Sequence, residues 1–171
     1  MKEEVWERLA SAQDISSLRG LLSELPRDDV LMLAQKAFNE VIGANFVGCS
    51  ASSSPPSFLA QELTLLKFDV NEPYVKTRLL SQLLLAKIAV VDQRELRGKC
   101  AHANLLAFRI LLLWQKILME PSTVLKDMMD ECAGLVESGE LDGEEKLVYL
   151  LERANSHLIY YDYEKCADCI Q

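Results

Sequence analysis

Glycine and proline are scarce, 7 and 5 of 171 residues. These are the residues that punctuate regular structure, so the elements should be long and their breaks few. Strand-like alternation of apolar and polar residues persists nowhere, which leaves helices to fill the chain. Long apolar runs are missing as well. Leu79–Val91 is interrupted by Gln82 and Lys87, and Leu105–Leu113 by Arg109. Both are shorter than the roughly 20 residues that span a bilayer, so no membrane role is expected. The opening Met1-Lys2-Glu3-Glu4-Val5-Trp6 has no apolar core and does not read as a secretory signal. A basic excess is absent too, the net charge being -8. Proteins that grip phosphate backbones release counterions with Lys and Arg, so direct binding to nucleic acid is not expected. Histidine occurs twice, and no GxSxG, HExxH or phosphate-binding Gly-rich loop is present. Nothing here points to catalysis, a metal or a cofactor. The five cysteines are odd in number and dispersed, which suits reduced thiols in the cytoplasm or the nucleus.

What is present is helical periodicity. Val5, Leu9 and Ala12 mark a short helix and Ile15–Leu25 a second one, stopped by Pro26. Asp28 is a suitable N-cap for a third, in which Val30, Leu33, Ala34, Ala37 and Val41 form one stripe, widened by Leu31, Phe38 and Ile42. Residues 49–57, rich in Ser and Pro, cannot bury a face and read as an exposed linker; Ser54-Pro55 within them matches a proline-directed phosphorylation site. Further helices are expected over Phe58–Phe68, Val75–Val91, His102–Met119, from Pro121 onward, over Glu144–Leu158, and from Asp162 to the end. The His102–Met119 helix is apolar almost all round and should be covered on most of its surface. The expected fold is all-α: antiparallel helical hairpins in α-solenoid-like layers, as in tetratricopeptide repeats.

Few residues stand out as candidate sites. Arg109 is the unusual charge, set in an apolar helix. It either snorkels, pairs with an acid of a neighbouring helix, or binds a ligand. Cys166 and Cys169 form a single CxxC, half of a structural zinc site, and fit a helix face as small core residues. His157 reads as a satisfied polar residue of a helix. Tyr149, Tyr160, Tyr161 and Tyr163 form an aromatic cluster at the C-terminal end that would serve as a binding platform. Asp28-Asp29 and Glu144-Glu145 sit where helix N-termini favour negative charge.

The last 30 residues have repeat logic. Leu150 occupies a bulky first-helix position and Ala154 the small position that admits the second helix. Tyr163 is expected in the turn, Cys166 at the small position of the second helix, and Ile170 at its bulky one. Arg153 and His157 depart from the pattern, which has a Leu and an aromatic there. Leu151-Glu152-Arg153-Ala154, Leu158-Ile159-Tyr160-Tyr161-Asp162-Tyr163-Glu164-Lys165, Leu83-Leu84-Leu85-Ala86-Lys87-Ile88 and Leu105-Leu106-Ala107-Phe108-Arg109, followed by Gln115–Ser122, occur in an order that resembles the tetratricopeptide repeat protein 27 family. One departure is that the family's paired tryptophans are Leu105 and Leu106 here. The resemblance implies N-terminal helices over 1–48, the loop 49–57, a helical cap over 58–141, and the start of a repeat hairpin over 142–171. It further implies that this is a fragment of a longer repeat protein. The resulting expectation is a non-catalytic scaffold whose partners are other proteins, with Arg109, Tyr160, Tyr161, Tyr163 and Ile170 as binding residues. Apolar surface near Ile170 should then fray or self-associate. The alternatives are an all-helical enzyme around Arg109 and His102, and an oligomeric structural subunit.

Overall fold

The computed structural model describes residues 3–10, 12–47, 74–118, 122–159 and 162–170. Most of them are helical, with no strand among them. The expected Ser/Pro-rich loop, the Phe58–Phe68 helix, Pro121, Tyr160 and Tyr161 lie outside the described residues, as does the side chain of Tyr163. The chain forms two compact units, Met1–Gln93 and Arg94–Gln171.

In the first unit, α1 (Glu3–Ala10) and α2 (Ile15–Glu24) are joined by a short turn. Asp14 caps α2, its carboxylate accepting the Ser17 N–H at 2.6 Å, and this bond holds its pKa below the usual range. The third helix, α3 (Arg27–Val47), begins two residues earlier than an Asp28 cap would allow. The Pro26 carbonyl accepts the Val30 N–H at 3.1 Å, so Pro26 holds the cap position and both aspartates lie in the first turn. Pro26 thus ends one helix and starts the next, since a cap residue needs no N–H of its own. The stripe Val30, Leu33, Ala34, Ala37, Phe38 and Val41 is buried throughout.

Opposite it packs α4 (Tyr74–Ala86), which continues into a π-helical turn over Lys87–Val91. There the Asp92 N–H reaches back five residues to the Lys87 carbonyl at 3.3 Å. Ile88, Ala89, Val90 and Val91 are all buried, against α3 and α2. The wider turn carries on a buried run that begins in α4, where Leu80 to Ala86 are buried as well. Arg19 of α2 closes this end with an ion pair to Asp92 at 3.0 Å.

The second unit opens with a short helix that the sequence pattern did not signal, α5 (Arg94–Gly98). Next comes α6 (Ala101–Leu118). As its composition requires, Ala103, the run Leu105–Phe108, Ile110–Leu112 and Trp114 are all buried. α7 (Thr123–Glu137) is capped by Ser122, whose hydroxyl accepts the Leu125 N–H at 3.2 Å; the start expected at Pro121 is therefore shifted. A hydroxyl satisfies one of the exposed first-turn donors, which proline at the first helical position does not do. Leu125, Met128 and Cys132 form its buried stripe, while Asp127, Asp130 and Glu131 face water. Gly139 then takes φ +79, a conformation that costs glycine nothing, and the Leu141 N–H returns to the Leu135 carbonyl at 3.0 Å. This buries Leu141 fully and aims the chain into α8 (Gly143–Ile159). Asp162 caps α9 (Tyr163–Ile170), so Tyr163 is the first helical residue and not part of the turn.

Candidate interaction surface

The second unit is organised around α8. Two polar pairs join it to α6: His102 Nδ1 lies 2.7 Å from Glu145 Oε1, and Arg109 Nε donates to Glu152 Oε1 at 3.2 Å. His102 and Arg109 are seven residues apart, and so are Glu145 and Glu152, in the same chain direction. Two helical turns on each helix therefore match, and α6 and α8 run parallel and in register. The connecting α7 runs back between them. Of the roles open to Arg109, pairing with a neighbouring acid is the one observed; both side chains are about one-fifth exposed.

Tyr149 ties all three helices together. Its ring lies 5.9 Å from that of Phe108 on α6, tilted by 55°, and its hydroxyl donates to the Met129 carbonyl of α7 at 3.2 Å. Burial pushes the phenol pKa up, while the Arg153 guanidinium pulls it partly back. Arg97 of α5 reaches α7 in the same unit, Nη1 donating to the Met128 sulfur at 2.7 Å with Glu131 3.9 Å away.

The α8–α9 hairpin has an unusual interior. Ala154 and Cys166 are buried, as the close approach of two helices requires. Beside them lie Arg153 and His157, the two residues that depart from the repeat pattern. His157 is not the satisfied polar residue its sequence context suggests: its Nε2 is buried without a hydrogen-bond partner, as is Arg153 Nε. Loss of water lowers the His157 pKa, and the nearby Arg153 charge lowers it further. The imidazole is thus neutral at pH 7. Burial raises the thiol of Cys169 and pushes that of Cys132 up to about 12. Both are protonated at neutral pH, and neither is an activated nucleophile. Cys166 and Cys169 share the hairpin, but no group of three or more His, Cys, Asp or Glu side chains among the described residues is placed to hold a metal ion.

The outer face of α8 is apolar. Leu147 and Leu151 are each 56% exposed and Leu158 is 46% exposed. Their spacing of four and seven residues puts them on one side of the helix, interrupted by the buried Ala154. Ile170 of α9, one of the expected binding residues, is 67% exposed. Arg109 lies on the α6–α8 seam instead, held by Glu152. The Leu147, Leu151 and Leu158 stripe was not singled out from the sequence. Its spacing is legible there, but α8 carries apolar residues on several sides, and only packing shows which side faces outward.

In the first unit, an open groove of about 370 Å³ lies between α1 and α2, lined by Gln13, Ser17, Leu21 and the Arg8–Glu24 pair. That pair spans 3.1 Å, with both side chains mostly in solvent. Exposed pairs of this kind contribute little, and the groove offers no convergent set of buried polar groups. No helix of the described residues is long and apolar enough to cross a membrane. In comparisons with known proteins, no family model, no curated protein and no solved structure matches the chain.

Proposed function

We propose that this protein is a non-catalytic interaction scaffold, and that Arg94–Gln171 is a stack of helical hairpins of the kind found in tetratricopeptide repeat proteins, as in the family of tetratricopeptide repeat protein 27. The observation that carries this reading is the parallel register of α6 and α8. Each is followed by a helix running back, so two hairpins stack with their first helices side by side. Stacked hairpins bury a continuous core and leave the last one with an apolar outer face, as Leu147, Leu151 and Leu158 do here. An enzyme centred on His102 and Arg109 draws less support. Both side chains face carboxylates of α8, and Arg109 does so across a largely buried seam, an arrangement suited to joining helices rather than to meeting a substrate. As part of the same reading, the protein works in a reducing compartment, the cytoplasm or the nucleus, which its dispersed thiols support.

The test is site-specific photo-crosslinking in cells, with the probe placed in turn at exposed positions such as Met32, Lys126, Leu151 and Ile170. The scaffold reading expects reproducible protein adducts from at least one position. Absence of any adduct above the unprobed control at all positions would overturn it.

A further inference from the structure

We propose that Cys166 and Cys169 form a two-coordinate thiolate site for a soft monovalent metal ion, cuprous copper, inside the α8–α9 hairpin. This site is independent of the scaffold reading. α9 is an eight-residue helix with an unusual division of its faces. Ile170 is 67% exposed, and Glu164, Lys165, Ala167 and Asp168 are exposed with it. Turned inward beyond the Asp162 cap are the two cysteines, Cys166 buried and Cys169 partly so. Among its described side chains, what α9 packs against α8 is thus a pair of thiols.

Spacing selects the chemistry. Residues three apart on a helix lie about 60° apart around its axis, with Cβ atoms roughly 5–6 Å apart. A disulfide needs Cβ atoms about 3.8 Å apart, so direct closure would distort α9. An ion held between the two sulfurs spans the helical distance instead. Zinc takes four ligands, and among the described residues no third His, Cys, Asp or Glu side chain joins the pair. Cuprous copper prefers soft thiolates and is satisfied by two of them. Binding replaces two sulfur–proton bonds with two sulfur–copper bonds. Both protons leave to solvent, copper keeps its oxidation state, and the centre carries one negative charge. The hairpin holds a matching cation. Arg153 of α8 lies within electrostatic reach of Cys169, and its Nε is buried with no hydrogen-bond partner. A thiol gives a buried N–H little to bond to, whereas a thiolate sulfur is an anionic acceptor. Loading the ion therefore gives the guanidinium a partner and neutralises the centre. The partial exposure of Cys169 gives the ion a way in, while the burial of Cys166 shelters the second sulfur from water.

The experiment is an anaerobic titration of the reduced full chain with cuprous ion, supplied as its acetonitrile complex, against bathocuproine disulfonate as a coloured competitor. The chain should withdraw one cuprous ion from the competitor, and zinc in about hundredfold excess should not displace it. Cys166→Ser and Cys169→Ser should each weaken binding at least about hundredfold, Cys100→Ser should leave it unchanged, and Arg153→Gln should weaken it about tenfold. A readout that needs no variant is timed iodoacetamide labelling with mass mapping. One equivalent of cuprous ion should slow labelling of Cys169 at least about tenfold and leave labelling of Cys100 unchanged. Slowing at Cys100 instead of Cys169, full binding retained by both serine variants, or displacement of the ion by zinc would overturn the proposal.

Discussion

The Arg109–Glu152 pair yields the sharpest test of how the second unit is held together. At 3.2 Å and an effective dielectric constant near 20, the attraction is on the order of 5 kcal/mol. Both side chains are about four-fifths buried, and bringing two ions out of water costs several kcal/mol each. The two terms nearly cancel, so the pair as a whole should add little stability. Removing one partner is different, because the other charge stays buried. Glu152→Leu should destabilise by about 2 kcal/mol, and Arg109→Leu by at least as much, since Arg109 has interactions besides Glu152. The double variant should lie within about 1 kcal/mol of the parent, giving a coupling energy of about 3 kcal/mol or more. Urea unfolding followed by Trp114, buried on α6, reads this directly in a Trp6→Phe background that silences the other tryptophan. Additive single costs with a coupling below about 0.5 kcal/mol would refute the account, and with it the claim that this seam fixes the register of α6 and α8.

Other consequences can be measured in the same background. Tyr149→Phe removes one hydroxyl bond and should cost about 1 kcal/mol, whereas Tyr149→Ala empties the junction of three helices and should cost about 4 kcal/mol in the same urea assay. Ser122→Ala should lower stability by about 1 kcal/mol through loss of the α7 cap. The Cys132 thiol, raised to about 12, should resist alkylation at pH 8 in the folded chain and react only on unfolding, as mass mapping after timed labelling would show. Its folded pKa exceeds its unfolded one, so the stability it contributes is full below about pH 9 and declines as pH rises toward 12.

Much of the fold was legible because burial and periodicity coincide where helices are amphipathic. The stripes of α3 and α7 are one-sided in sequence, and the structure buries those same sides. The all-round apolar composition of α6 announced a covered helix for the same reason. Boundaries were less legible. They depend on which group satisfies the first N–H donors, and Pro26 and Ser122 compete with neighbours that look equally suitable. α5 escaped notice because five residues with one buried leucine leave no period to detect. The site was legible only in part. Arg109 stood out as a charge in an apolar helix, but Glu152 could not be named as its partner, since contacts 43 residues apart depend on helix direction. The outward direction of the leucine stripe follows from the same unknown.

His157 shows most clearly how a local departure from a pattern becomes a property of the hairpin. An aromatic residue at this position would fill the space between α8 and α9 without needing partners. Imidazole fills it too, but with Nε2 buried and unpaired and with Arg153 close by. The groups around it are Arg153 on its own helix and Asp162 and Lys165 across the turn; burial and the two cations outweigh the carboxylate, so the pKa is lowered. In the unfolded chain the imidazole binds its proton near pH 6.5, while in the folded chain it does so only at lower pH. Below about 6.5 the unfolded state therefore takes up more protons, and stability falls as pH falls. The loss should concentrate in the hairpin, because α9 is short and is held mainly by α8. Hydrogen exchange at 162–170 should accelerate between pH 7 and pH 5, beyond the intrinsic change in exchange rate, while exchange at 105–113 in α6 holds steady. His157→Phe should abolish the difference and slow exchange in α9 at both pH values. If the wild-type hairpin is equally protected at pH 5 and pH 7, the buried imidazole is not what limits its stability, and the departure from the repeat pattern at this position is tolerated at no cost.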